Sequence, residues 1–255
     1  MDEWRTYWKT TTDSTNADAR DGRPGDVFVA DFQAAGRGRL DHRWLAPPGV
    51  NLMFSAVLDV AGREPAEVAT LPLAVGLAVA QALVSLPSWQ ASSPRLAIKW
   101  PNDVLAEGRK LAGILCERNG DAVIAGIGLN VNQTAFAPEL AARAVSLAQL
   151  AGQPFDRAAV LEAVLKSLAA VHARWRANGF AALHAELAAM DHLAGREVSI
   201  LQTDTDAAPV TGFCGGIQAD GSLLVGTARI YAGEAHVLSV GQMTGEASEG
   251  VGNQP

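Results

Sequence analysis

The sequence predicts an α+β protein: a mixed, largely antiparallel sheet flanked by helices, followed by a small β-barrel. Three observations point there. Runs rich in β-branched or alternating residues recur between residues 27 and 131, some joined by short Gly-containing segments as in hairpins. Longer helical patterns occupy residues 67–86 and 156–177. After Gly195 the chain breaks into short strand-like runs divided by turn residues.

The elements follow in order. Candidate strands are residues 27–32, 51–59, 95–100, 113–117 and 122–131. Candidate helices are residues 16–20, 67–86, 138–150, 156–177 and 180–190. Asp156 is placed to cap its helix. Glu162 stands four residues before Lys166 on one face of that helix. Residues 113–131 read as one hairpin, and residues 95–100 with 113–117 as another. The sheet is therefore antiparallel-rich and not doubly wound. Residues 198–201, 210–213, 222–225, 229–231 and 236–238 read as the barrel strands, divided by Asp220-Gly221 and Ala232-Gly233. The predicted division is 1–194 for the main domain, 195–242 for the barrel and 243–255 for a disordered tail.

Composition narrows the function. The chain has 255 residues, 49% hydrophobic and 18% charged, which suits a sizeable core and not a disordered chain. Its net charge of -7 argues against a broad basic face for nucleic acid, so any cationic site is local. Cys116 and Cys214 lie outside any CxxC pattern, which argues against structural zinc. No basic-then-apolar signal segment follows Met1, and a cytoplasmic location with reduced cysteines is expected. Residues 68–86 are Ala-rich and interrupted by Pro72 and Gln81; they read as a buried helix, not a membrane span.

Five segments carry chemistry. Gln33-Ala-Ala-Gly-Arg-Gly-Arg39 ends a strand with glycines that permit close approach and guanidinium groups that fit carboxylate or phosphate oxygens. The same pattern also suits a solvated basic loop. Thr11 to Asn16 places hydroxyls and an amide before a helix, as a cap or as a polar ligand wall. Lys99-Trp-Pro-Asn-Asp103 ends a strand in a turn, where Asn102 and Asp103 could meet a hydrated magnesium ion. Gly108-Arg-Lys110 sets two cations at the start of an apolar strand. Gly126 and Gly128 interrupt a strand that leads to Asn130 and Asn132, which marks a bulge or a close ligand.

Together these motifs closely resemble the biotin protein ligases, or biotin–[acetyl-CoA-carboxylase] ligases, from about residue 10 to 240. The resemblance rests on Ser-Thr-Asn, Gln-x-x-Gly-Arg-Gly-Arg with its downstream Trp44, Lys-Trp-Pro-Asn-Asp, Arg-Lys-Leu-Ala-Gly-Ile and Gly-x-x-Asn, in the family's order. It implies a catalytic domain related to lipoyl ligases and class II tRNA synthetases, with an SH3-like C-terminal barrel. Few residues precede Ser14, so the resemblance is to the ligase-only type without a DNA-binding domain. One departure is that Asp41 and His42 stand where the family has a glycine and a basic residue.

The implied reaction has two steps. Biotin's carboxylate attacks the α-phosphate of ATP to give biotinyl-5′-AMP and pyrophosphate; an acceptor lysine then attacks the activated carbonyl. Bringing two anions together calls for cations and Mg2+. By the resemblance, Lys110, Arg39 and Arg37 are catalytic. Ser14, Thr15, Asn16 and Gln33 hold biotin's ureido end, and Arg37, Gly38, Arg39 and Lys110 its carboxylate. Gly36, Arg39, Trp44, Lys99, Asn102 and Asn130 serve the nucleotide, and Asp103 the magnesium. ATP and biotin are substrates, and no tightly bound organic cofactor is expected. The expected partner is a biotin carboxyl carrier domain, with no specific DNA, no membrane and room for a homodimer. The alternatives are a ligase for lipoate or octanoate and a non-enzymatic sensor of a small anion.

Overall fold

A computed structural model describes residues 4–40, 42–90, 94–203 and 208–238. The tail expected at 243–255 lies outside them. Among the described residues, seven strands form one sheet in the order β1-β2-β3-β7-β6-β5-β4. They are β1 (Arg5–Thr12), β2 (Asp26–Gln33), β3 (Leu52–Asp59), β4 (Leu96–Lys99), β5 (Asp103–Ala106), β6 (Arg109–Asn119) and β7 (Ala122–Leu129). β1 runs parallel to β2 and every other pairing is antiparallel. The mixed, antiparallel-rich sheet of the sequence reading is therefore present.

Two strands escape that reading. β1 is polar and exposed along nearly its whole length, so it carries no buried-face alternation. β5 is short and sits where a turn is expected. Consequently β4 pairs with β5, from Leu96↔Ala106 to Lys99↔Asp103, and not with the strand at 113–117. The hairpin at 113–131 forms as β6–β7.

The helices are α1 (Thr15–Asp18), α2 (Pro65–Val68), α3 (Leu71–Ser85), α4 (Pro87–Gln90), α5 (Pro138–Ala141), α6 (Leu147–Ala151), α7 (Arg157–Asn178) and α8 (His184–Ala189). The helix expected at 67–86 breaks between α2 and α3, where the Thr70 hydroxyl donates back to Glu67 O and Pro72 takes the first turn of α3. The helix expected at 138–150 is two short ones. Ser146 and Gln149 form a capping box that starts α6. Asp156 caps α7 by accepting from Ala158 N, as its sequence suggests.

Residues 65–85 have a mean hydropathy of 1.9 and the length of a membrane span, yet 72% of that window is buried inside the fold. α3 and α7 pack together over one face of the sheet. Phe54, Ala56 and Leu58 of β3 and Val123, Ala125 and Ile127 of β7 join them in the main core. The two-residue period of a strand turns Ser55 of β3, Gly113, Leu115 and Glu117 of β6, and Gly126 and Gly128 of β7 to the opposite face.

The second sheet contains β8 (Glu197–Leu201), β9 (Val210–Ile217), β10 (Leu223–Val225), β11 (Ala228–Ile230) and β12 (Glu234–Val237), in the order β11-β10-β9-β8-β12. It is antiparallel and barrel-like, as expected. It is joined closely to the main sheet. Ile98 N donates to Met190 O and His192 N to Ile98 O, carrying β4 onto the connecting segment. Buried Trp100 donates from Nε1 to Gly221 O at 3.1 Å. Asp191 accepts from Leu193 N and Ile217 N, and burial raises the pKa of its carboxyl.

Candidate active site

The face of the sheet opposite α3 and α7 carries a trough. Gly113 pairs with Gly128, while Gly126 lies between Leu115 and Ser55. These glycines make a floor without side chains because other groups lie directly on it. A Cβ at Gly126 would stand 2.2 Å from Asn16 Oδ1, and one at Gly128 would stand 2.4 Å from Trp44 Cε2. The register through Gly126 and Gly128 is regular, so no bulge forms there; the groups that approach these glycines are the Asn16 and Trp44 side chains.

One end of the cleft is walled by neutral polar groups backed by one ion pair, Arg37 with Glu117. Ser14 occupies the cap position of α1, but its side chain makes no capping bond and it lines the cleft. Thr15 N donates to Gln33 Oε1 at 2.7 Å, and the Thr15 hydroxyl lies 3.1 Å from the same oxygen. Ser55 Oγ stands 2.8 Å from Thr15 Oγ1 and 2.6 Å from Asn16 Oδ1. Asn16 Nδ2 donates to Glu117 Oε2 at 2.5 Å. Arg37 donates to both oxygens of that carboxylate, at 2.8 and 3.0 Å.

The other end is cationic. Lys110 Nζ lies 2.8 Å from Asp103 Oδ1, an ion pair made off the direction of a good hydrogen bond. The backbone of Lys110 is pinned by Lys110 N to Arg143 O and Val145 N to Lys110 O, which fixes where its side chain starts. Arg39 is half-buried and donates to Gly233 O at 3.2 Å, tying the loop to the barrel. Burial lowers its pKa, and the carboxylates of Asp103 and Glu234 oppose that shift; a guanidinium stays charged regardless. Lys99 faces the same space, and Glu234 and Ala235 of β12 close its rim.

The arginine-glycine loop spans these two ends as a tight hairpin. Trp44 N donates to Gly36 O, Gly38 N to His42 O and His42 N to Arg39 O. A Cβ at Gly36 would fall 2.5 Å from Trp44 O, so this crossing requires glycine. The hairpin lays the Trp44 indole on Gly113 and Gly128, with Lys110 Nζ 5.8 Å from the ring centroid. Trp44 Nε1 is buried without a hydrogen-bond partner among the described residues.

Ser14, Thr15, Asn16, Gln33, Arg37, Gly38, Arg39, Trp44, Lys99, Asn102, Asp103 and Lys110 thus converge on one cleft, though their expected roles shift in places. Asn102 spends its amide on Ile114 O at 2.8 Å, fixing the turn to β6. Gly36 is buried against Trp44 O and Gln33 and does not line the cleft. Asn130 does not reach the cleft: it is buried, donates to Lys110 O and Val145 O, and accepts from Asn51. Its place in the Gly-x-x-Asn segment is structural, because those bonds hold Lys110's strand to the 143–147 segment. Asp41, one of the two departures, lies outside the described residues. Sequence reading missed Ser55, Glu117 and the barrel residues Glu234 and Ala235.

Residues 5–133 match the Biotin/lipoate A/B protein ligase family. A biotin–[acetyl-CoA-carboxylase] ligase of Paracoccus denitrificans is 40% identical over 176 residues, which is 66% of this chain and 71% of that protein. The bifunctional ligase/repressor of Escherichia coli is 30% identical over 208 residues; the match covers 80% of this chain but only 62% of the relative's length. The crystal structure of a biotin protein ligase from Aquifex aeolicus, in complex with biotin and ATP, superposes with a TM-score of 0.79 at 30% identity. It covers 92% of this chain and 98% of that one.

Proposed function

The chain belongs to the Biotin/lipoate A/B protein ligase family, and on that premise we propose that it is a biotin protein ligase. It activates biotin with ATP as biotinyl-5′-AMP and passes biotin to a lysine of a biotin carboxyl carrier domain. The observation that carries this reading is the polarity of the cleft. A neutral hydrogen-bonding wall of Ser14, Thr15 and Gln33 stands at one end, a glycine floor lies between, and Lys99, Arg39 and Lys110 stand at the other. Biotin has the matching order: an uncharged ureido head, an apolar body and an anionic tail. Lipoate shares the tail but lacks the ureido group, and its dithiolane would leave the polar wall unpaired.

The residues then act by position and charge. The neutral wall seats the head, so the carboxylate falls toward Lys110 and Arg39. These cations offset the repulsion between a carboxylate and a phosphate. Lys110, held by Asp103 on one side and the Trp44 ring on the other, is pre-oriented toward the cleft. Trp44 covers the floor and excludes water from an anhydride that would otherwise hydrolyse. No protein nucleophile is required, because the anhydride supplies the reactivity and the cleft supplies proximity.

Magnesium fits this cleft only as an ion carried by the nucleotide's phosphates. Asp103 offers one carboxylate beside Lys110, and no group of three acidic or soft ligands exists among the described residues. There it would neutralise phosphate charge. The carrier domain is the proposed protein partner, and neither DNA nor a membrane enters the proposal. The free thiols Cys116 and Cys214 suit the cytoplasm. Incubation with ATP, radiolabelled biotin and a carrier domain tests the function. Label on the carrier lysine is the expected result; label from lipoate and none from biotin would overturn it.

A further inference from the structure

We propose that Glu117 is a positioning residue that fixes the hydrogen-bond direction of the cleft's neutral wall, and so its selectivity for a ureido head. This rests on the biotin reading above. Glu117 carries no motif and lies 101 residues from Asn16 and 80 from Arg37, yet one carboxylate engages both. It thereby joins the start of α1 to the arginine-glycine loop.

Hydrogen-bond stoichiometry sets the direction. A carboxylate only accepts, so the Asn16 amide must turn Nδ2 toward Glu117 and Oδ1 toward Ser55. Ser55 has one hydroxyl proton. Spending it on Asn16 Oδ1, the closer contact at 2.6 Å, leaves a Ser55 lone pair facing Thr15 Oγ1 at 2.8 Å. The Thr15 proton then turns inward, toward Ser55 or Gln33 Oε1. Thr15 Oγ1 keeps lone pairs for a donor in the cleft.

Gln33 is set independently, because Thr15 N donates to its Oε1 at 2.7 Å and Nε2 is left as a donor. The wall therefore offers an acceptor beside a donor, the complement of a ureido N–H beside its C=O. Without Glu117 the Asn16 amide keeps only the long 3.4 Å bond from Nδ2 to Leu115 O, and it can turn over. Ser55 can then donate to Thr15, and the wall loses its single polarity. Networks of this kind weaken as a unit when one end is removed.

The test compares wild type with Glu117→Ala and Glu117→Gln. Biotin Kd is read by calorimetry, KM for biotin and ATP with kcat by pyrophosphate release, and Tm by calorimetric scan. Glu117→Ala should raise biotin Kd and KM by about 10-fold or more, the loss of roughly one charge-assisted bond. Its kcat at saturating biotin and its KM for ATP should stay within about 2-fold, below the effect of one hydrogen bond. Glu117→Gln keeps an acceptor for Asn16 but weakens the Arg37 pair, so most of the biotin affinity should return. Unchanged biotin Kd in Glu117→Ala overturns the inference. So does a general loss, with Tm and kcat falling and both KM values rising together, which would mark a merely structural group. If the alanine variant does not fold, Glu117→Leu, which keeps most of the volume but offers no acceptor, takes its place: unchanged biotin Kd overturns the inference, and a weaker Kd with unchanged kcat supports it. Wild type that fails to bind biotin would overturn the functional reading itself, and is distinct from these results.

Discussion

Gly128→Ala separates the cleft's floor from the protein's core. An added methyl at Gly128 would stand 2.4 Å from Trp44 Cε2 and 2.7 Å from Cδ2 and Cζ2. Ordinary carbon contacts begin near 3.5 Å, so the indole must lift by about 1 Å. The strand itself bears alanine easily. Its φ is not positive, its register is regular, and replacing a strand glycine recovers about 0.5–1 kcal/mol of chain entropy. Folding stability should therefore stay within about 1 kcal/mol and Tm within a few degrees. Ligand binding should not survive so well. A methyl in the trough and a raised ring together resemble overpacking, worth about 1–3 kcal/mol, or roughly 5- to 150-fold in affinity. Biotin calorimetry and pyrophosphate release read the loss, and a melting scan reads the fold. The control is Gly76→Ala in α3, on the opposite face, where the new Cβ would meet Ile98 Cδ1 at an unstrained 3.5 Å. It should stabilise the helix by up to about 1 kcal/mol and leave biotin affinity unchanged. Wild-type biotin affinity in Gly128→Ala, or a large Tm loss with activity retained, would refute the assignment of this floor.

Other expectations follow from the same geometry. Lys110→Ala should cut pyrophosphate release by about 100-fold, since a charge-assisted contact to an anion is lost. Its ion pair with Asp103 is only partly buried and contributes about 1 kcal/mol to folding, so a melting scan should shift by a few degrees at most. Near wild-type release from a folded variant would reject its role. Trp100→Phe removes the bond from Nε1 to Gly221 O and should lower unfolding free energy by about 1–3 kcal/mol in urea. An unchanged midpoint would mean that this contact does not couple barrel to sheet. Burial lowers the pKa of His172 from the ordinary 6.5, and burial with nearby cations does the same for His192. The stability tied to these neutral rings is full above pH 6.5 and falls as the pH drops below it, because the unfolded chain then binds more protons. Urea melts at about pH 7.5 and 5.5, either side of the imidazole pKa, should show this loss, and His172→Gln should reduce it. Equal losses in both proteins would exclude His172 as a source.

What could be read from the sequence divides along physical lines. Gly36 and Gly38, the Asp156 cap and the Asp220-Gly221 turn are local devices, and each marks its own position in the chain. Apolar strands with at least one buried face also declare themselves, as β2, β3 and β7 do. β1 does not, because an exposed edge strand owes its existence to the pairing with β2 and not to its own pattern. The same distinction runs through the cleft. Arg39, Trp44 and Lys110 are recognisable because their motifs resemble one family's and stand in its order; cations beside glycines alone also suit a solvated loop. Asn130 looked equal to them in the sequence, but its partners Val145 and Asn51 decide that it braces the strand from below. Glu117 is the converse case. A glutamate on a strand reads as a solvated side chain, and only the sheet register puts it in one row with Gly113 and Leu115, on the cleft face. Its importance lies in two partners that the chain brings from far away. A residue that touches the ligand can be guessed from its chemistry; one that orients such residues is found only through the contacts that give the others their direction.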